Sequence, residues 1–273
     1  MDLWAVRRPV NGNCRFMGPE PVAVGVRPSE VQMVVLLTDF GQSEYVGVMK
    51  GIVYSICPTA TVVDLCHEIS PQCVVEGAWI LSNSVRYFPA GAVFCCVVDP
   101  GVGTQRRALA VKAGGYYFVG PDNGLLWAAV SGFEAMEVRE IEVPAGASKT
   151  FHGRDVFARV AARIENGGFE AVGQPVEAMT KLEFYRDGRE GMVVRIDRFG
   201  NVVTNLPASD QDQYRVTVGP HDGMLNFRET YDAARDGELF VIEGSCKTLE
   251  LSVKNDSAND ALKVAVGERI QIT

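Results

Sequence analysis

From residue 33 onward, short unbroken apolar runs alternate with stretches whose apolar positions recur three or four residues apart. Residues 33–38 (Met-Val-Val-Leu-Leu-Thr) form a continuous run, as expected of a parallel strand buried on both faces. Over 43–56, Val46, Met49, Val53 and Ile56 fall near helical spacing, and Pro58 ends the pattern. Residues 60–65 read as a second strand. Ser70-Pro71 predicts a helix start, a capping serine with proline in the first turn. Val74, Ala78, Leu81 and Val85 carry that helix to Tyr87, ahead of Pro89. Residues 92–98 are a third strand, and 108–113 with 116–119 a hairpin around Gly114-Gly115. Residues 155–164 read as a further helix that starts at Asp155 and is closed by Asn166-Gly167-Gly168. The alternation predicts an α/β unit over 33–175, a mostly parallel sheet with helices on both faces.

After Gly173-Gln174-Pro175 the texture changes. Residues 192–196, 201–206, 214–218, 239–242, 248–253 and 269–273 are short strands separated by turn residues, with no long helix among them. Residues 176–273 therefore read as a second, all-β domain, a small barrel or sandwich. Residues 1–32 contain four prolines and no period. They have arginines but no apolar core of a secretory signal, and Asp2, Glu20 and Glu30 are atypical of a transit peptide. They read as a loosely ordered extension.

Composition narrows the function. With 34 acidic and 26 basic residues among 273, the net charge is −8, which argues against nucleic acid as the partner. No run of 18 apolar residues offers a membrane span. The seven cysteines, Cys14, Cys57, Cys66, Cys73, Cys95, Cys96 and Cys246, are odd in number and include no C-x-x-C pair. They read as reduced thiols packed as small hydrophobes, which points to the cytoplasm. Cys66-His67 could donate to a metal, but no second pair at ligand spacing accompanies it, so no metal site is expected.

Polar loops follow the apolar strands, where ligands sit in open α/β sheets. They are Thr38-Asp39-Phe40-Gly41, residues 99–107 from Asp99 to Arg107, and Gly120-Pro121-Asp122-Asn123-Gly124. Asp39 is either a turn aspartate or a carboxylate for a ribose diol. Asp99 is either a turn former or a site residue, and Gly101 and Gly103 permit close backbone approach to a ligand. His152 is one of only three histidines, so it is either a neighbour of a helix cap or a catalytic group. There is no G-x-G-x-x-G, no G-x-x-x-x-G-K-[ST] and no G-x-S-x-G, which lowers dinucleotide, P-loop and serine-hydrolase readings.

Taken in series, Thr38-Asp-Phe-Gly41, Asp99-Pro-Gly-Val-Gly-Thr104 with Arg106, Pro121-Asp-Asn-Gly124, Phe151-His-Gly-Arg-Asp155 and Asp197-Arg-Phe-Gly-Asn201 with Thr204-Asn205 resemble the S-adenosylmethionine hydroxide adenosyltransferases, relatives of fluorinases and chlorinases. The resemblance runs from about Met33 to the C-terminus. It implies an enzyme that hydrolyses S-adenosyl-L-methionine to adenosine and L-methionine, with no cofactor. The implied catalytic set is Asp99, Arg106 and His152, with proton handling open between Asp99 and His152. The implied substrate contacts are Asp39 to the ribose diol, Phe151, Asp197 to the methionine ammonium, Phe199 as an aromatic wall, Asn201 to the adenine edge, Ser245 to the methionine carboxylate and Asn255 near adenine. Lys247 stands where the family usually has glycine. The halogenating relatives carry tyrosine, threonine and serine in place of Asp99, Val102 and Gly153, so this chain falls on the water side. The resemblance also implies a homotrimer with sites between subunits. The alternatives are a non-catalytic sensor of adenosine or S-adenosylmethionine and a structural α/β protein.

Overall fold

The computed structural model describes residues 32–273, so all but one residue of the extension read over 1–32, and Cys14 with it, lies outside the described residues. The first sheet has seven strands in the order β2-β1-β3-β5-β4-β6-β7. These are β1 (Met33–Thr38), β2 (Thr61–Cys66), β3 (Val93–Val97), β4 (Ala108–Ala113), β5 (Tyr116–Pro121), β6 (Met136–Ile141) and β7 (Gln174–Val176). Strands β2, β1, β3 and β5 run parallel, and β4, β6 and β7 extend the sheet antiparallel. The β4–β5 hairpin turns at Gly114-Gly115, both at positive φ, as the sequence predicts.

Because the central strands are buried on both faces, alternate residues feed opposite cores. On one face Val34, Leu36, Val93 and Cys95 pack against α1 (Glu44–Ile56) and α4 (Ala158–Glu165) through Met49, Val53, Ala158 and Ala161. On the other, Val35, Leu37, Phe94 and Cys96 meet α2 (Val74–Ser84) and the short α3 (Trp127–Val130) through Ile80, Leu81, Leu126 and Val130. The helices do lie on both faces. No two cysteines pair among the described residues.

Two helix starts differ from expectation. The predicted start at Ser70-Pro71 is a turn: Gln72 adopts φ 64°, and α2 begins only at Val74, with no side-chain cap at Cys73. Ser70 N–H donates to Glu76 Oε2 at 2.9 Å and Gln72 N–H to Asp39 Oδ2 at 2.7 Å, so contacts beyond the first turn hold this segment out of the helix. The helix predicted from Asp155 begins instead at Gly153, as a π-helical turn through Phe157 that leads into α4. Such turns occur frequently at functional sites.

The second sheet is all antiparallel, in the order β11-β10-β14-β8-β9-β13-β12. Its strands are β8 (Glu190–Ile196), β9 (Val202–Pro207), β10 (Gln213–Val218), β11 (His221–Asn226), β12 (Leu239–Glu243), β13 (Thr248–Val253) and β14 (Arg269–Ile272). It curls nearly into a barrel: just past β11, Phe227 bridges to Val241 of β12, and Arg228 N–H donates to Val241 O at 2.9 Å. Tyr214, Val216, Val241, Leu251 and Ile270 fill the interior, and α5 (Ala258–Leu262) closes one side. Trp79 of α2 joins the two parts, packing on Val194, Val203 and Phe184. No helix of the described residues is long and apolar enough to cross a membrane.

Candidate active site

From β1 the chain first goes outward to β2 and then returns to the other side of β1 as β3, which makes the gap between β1 and β3 a topological switch point. Asp39 follows β1 and Asp99 follows β3, so the two carboxylates flank this gap. A cavity of about 320 Å³ opens there. Asp39, Asp99, Phe151 and His152 line it together with Val102 and Gly153. Phe40 of the Thr38–Gly41 motif, Pro71 of the expected helix start, and Tyr45, Gln72, Val97 and Thr150, for which the sequence implies no site role, complete the wall. Tyr45 was findable in principle, since it stands in the first turn of a helix that begins just after Asp39. Phe40, Tyr45 and Phe151 pack edge to face, with centroids 4.9–6.0 Å apart.

Arg106 ties the floor together. Its Nε donates to Asp99 Oδ1 at 2.9 Å, and its Nη2 donates both to Asp99 Oδ2 and, at 2.8 Å, to His152 Nδ1. Its guanidinium also lies over the Phe157 ring. A guanidinium can only donate, so His152 Nδ1 must be an acceptor and the ring proton sits on Nε2. Burial, and then the positive charge of Arg106, hold the His152 pKa below its ordinary value. The ring is therefore neutral at neutral pH.

Glycine at 153 sets the size of the pocket beside this set. A Cβ there would stand 3.2 Å from Met49 Sδ, 3.2 Å from Phe151 and 3.4 Å from Phe40, so a larger residue would force these neighbours to give way. Asp155, in the same motif, is structural. It pairs with Arg154 and accepts Ser148 N–H, and the Arg154 hydrogen bond leads in lowering its pKa to about 2. The Pro121–Gly124 motif is structural too: Asp122 grips Arg107 and Thr180 N–H, and Asn123 Nδ2 donates to Val98 O.

The C-terminal candidates do not join this cavity. Asp197 and Ser245 line a second one, of about 310 Å³, with Trp79, Arg195, Tyr231 and Glu250. Burial, and then the charge of Asp197, raise the Glu250 pKa. An ionisable residue within the otherwise uncharged β13 was the signal available for it. Asp197 also organises its own turn: Oδ1 accepts Phe199 N–H and Asn201 N–H, and Oδ2 accepts Asn201 Nδ2–H, all at 2.9 Å. The turn leaves Asn201 buried and Phe199 71% exposed. Gly200 is at φ 81°, where a Cβ would also collide with Ser257. Asn255 is exposed, at φ 60°, bonded to Asp236. Lys247 sits at φ 62°, which explains why glycine suits that position: the backbone is left-handed there.

Comparisons with known proteins identify the family. The profile of the SAM hydroxide adenosyltransferase N-terminal domain matches residues 34–173, and that of its C-terminal domain matches 191–271. A relative from Salinispora arenicola named (R)-S-adenosyl-L-methionine hydrolase is 37% identical, over 86% of this chain and 95% of its own. One of the same name from Thermus thermophilus is 36% identical, over 88% and 98%. A fluorinase from Nocardia brasiliensis is 31% identical, over 71% and 79%. The crystal structure of an uncharacterized conserved protein from Thermotoga maritima superposes with a TM-score of 0.81 at 36% identity, covering 88% of this chain and all of that one. With both domain profiles matched in order across the two sheets, the chain belongs to the SAM hydroxide adenosyltransferase family.

Proposed function

We propose that the protein hydrolyses S-adenosyl-L-methionine to adenosine and L-methionine, using no metal or added cofactor. The observation that carries this reading is that Arg106 bonds Asp99 to His152, both of which line a cavity that Asp39 also lines. A water oxygen attacks the ribose C5′ carbon, the C5′–S bond breaks, and its electron pair leaves with sulfur as a neutral thioether. A sulfonium is already a good leaving group, so no acid is required; the difficulty lies in the nucleophile. His152 enters with Nδ1 engaged by Arg106 and a proton on Nε2, so it acts as a donor that orients the water. Asp99 takes the proton that the water loses, and Arg106 stabilises the charge in transit. Asp39 holds the ribose diol, while Phe151 and Phe199 supply aromatic walls. Asp197 and Ser245 take the methionine end, and Asn201 and Asn255 the adenine.

The test is adenosine release from the purified protein, with each epimer at sulfur assayed separately because the curated relatives are named for the R form. Activity abolished by a chelator and restored by a divalent ion would overturn the metal-free mechanism. A protein that binds adenosine without turnover would establish the sensor instead.

Assembly as a homotrimer is part of the proposal. Two residue groups assigned to one ligand line separate cavities of a single chain, and Phe199 projects into solvent. In a head-to-tail ring of three, the first group of one subunit faces the second group of the next. Mixing an Asp39→Ala protein with an Asn201→Ala protein then restores roughly a quarter of the sites, since some interfaces regain both residues. A fully active monomer in sedimentation would refute it.

A further inference from the structure

His67 is adjacent to Cys66 in sequence and takes no part in the proposed reaction. Both of its ring nitrogens are already engaged. Nε2 lies 3.0 Å from Asp64 Oδ1 and Nδ1 lies 2.8 Å from Thr38 Oγ1. A carboxylate only accepts, so Nε2 carries the proton and donates to Asp64; Nδ1 then accepts the Thr38 hydroxyl. Thr38 is fully buried, and its oxygen in turn accepts Phe40 N–H at 3.2 Å. Lys50 Nζ, from α1, closes the far end on Asp64 Oδ2 at 2.5 Å. Every donor in the chain Phe40–Thr38–His67–Asp64 has an acceptor, and all point the same way.

The backbone is shaped to make this meeting. Leu36 pairs with Asp64, but Leu37 pairs with Cys66, so the β1–β2 register shifts by one residue at Leu65. Bulges of this kind re-aim side chains beside active sites. Here the shift brings His67 level with Thr38. His67 also holds the turn by its main chain, its carbonyl accepting Gly41 N–H at 2.8 Å. The segment between these two anchors is Asp39-Phe40.

We propose that His67 is a positioning residue that, through Thr38, fixes the turn presenting Asp39 and Phe40 to the nucleoside. The proposal rests on the hydrolase reading, because it assigns Asp39 a ribose to hold. A purely structural histidine would alter the fraction of folded protein. A positioning residue alters the affinity of the sites that are folded.

Titration calorimetry with adenosine separates the two, since stoichiometry reports folded sites and Kd reports their quality. His67→Ala and Thr38→Val, which breaks the chain at its middle with little change of volume, should each weaken adenosine binding about five- to tenfold, the effect of one or two hydrogen bonds. Stoichiometry should hold for whatever fraction folds. His67→Asn, whose amide oxygen can stand near the Nδ1 position, should recover most of the affinity. In an Asp39→Ala background each substitution should weaken binding by less than half as much, because they act chiefly through Asp39 and only the Phe40 contact is left to lose. Unchanged Kd in both variants, or an equal loss with Asp39 already absent, would overturn the proposal. Wild-type protein that fails to take up adenosine would overturn the hydrolase reading along with it, a result distinct from wild-type binding with indifferent variants.

Discussion

Replacing Arg106 with lysine keeps the positive charge and removes the fork, which makes it the sharpest probe of the proposed water-activating set. The guanidinium serves three acceptors at once, both oxygens of Asp99 and Nδ1 of His152. An ammonium on a flexible stem lacks the planar geometry to hold them together. The Arg106 and Asp99 side chains are only 10% and 5% exposed, so solvent does little to screen what is lost. Lysine can keep one of these three hydrogen bonds, so the loss of two charge-assisted bonds, at about 1.5–3 kcal/mol each, sets the scale. Because one side chain makes both, their losses are coupled, and the lower bound of about 3 kcal/mol is the safer figure. At about 1.4 kcal/mol per factor of ten, kcat should fall on the order of 100-fold. The retained charge leaves ground-state binding nearly intact, so KM should stay within about threefold. Initial rates of adenosine release across substrate concentration give both constants, and a thermal melt gives the folded fraction. A kcat within about fivefold of wild type, with the protein folded, would show that the guanidinium is only a counter-ion for Asp99.

Incubation in concentrated chloride should yield no 5′-chloro-5′-deoxyadenosine by mass spectrometry, because Asp99 places negative charge beside the nucleophile; its detection would contradict that assignment. His152 has a folded pKa below its unfolded 6.5, so the unfolded chain binds the proton first and stability should decline as pH drops from about 6.5 toward the folded value. Urea titrations of wild type against His152→Asn across that window should differ in slope, and parallel curves would count against the buried neutral ring. Lys247→Gly should raise the melting temperature by relieving a left-handed lysine at φ 62°, and a fall would mean that its side chain matters more than its backbone. Gly200→Ala should destabilise by more than about 2 kcal/mol, since the new Cβ meets Ser257 at a positive φ; an unchanged urea midpoint would refute the collision.

The alternation of the first sheet was legible because it is a local property. Unbroken apolar runs at 33–38 and 92–98 can satisfy their side chains only if covered on both faces, and Gly114-Gly115 supplies the positive φ that a tight turn needs. The position of the chemistry was legible for the same reason: an ionisable residue directly after a buried strand emerges at the sheet's carboxyl edge. Strand β6 was not legible. Within Met136–Ile141 only Val138 and Ile141 are buried, three apart rather than alternating, and its pairing with β4 comes from outside the segment.

What the tertiary structure decided are the features that depend on partners distant in sequence. Ser70-Pro71 carries the local signals of a helix start, yet the Asp39 carboxylate, from another loop, takes Gln72 N–H and turns the segment into cavity wall. Cys66-His67 has no second ligand pair in the sequence, but only the register shift shows what holds the imidazole instead, with Thr38 and Asp64 at its two ring nitrogens. The sequence orders the five motifs along the chain, but not the division of the four that reach a cavity between two cavities, because the separation of Asp99 from Asp197 depends on how the second sheet docks through Trp79. Residue type and spacing determine the chemistry available; the long-range contacts determine which groups can share it.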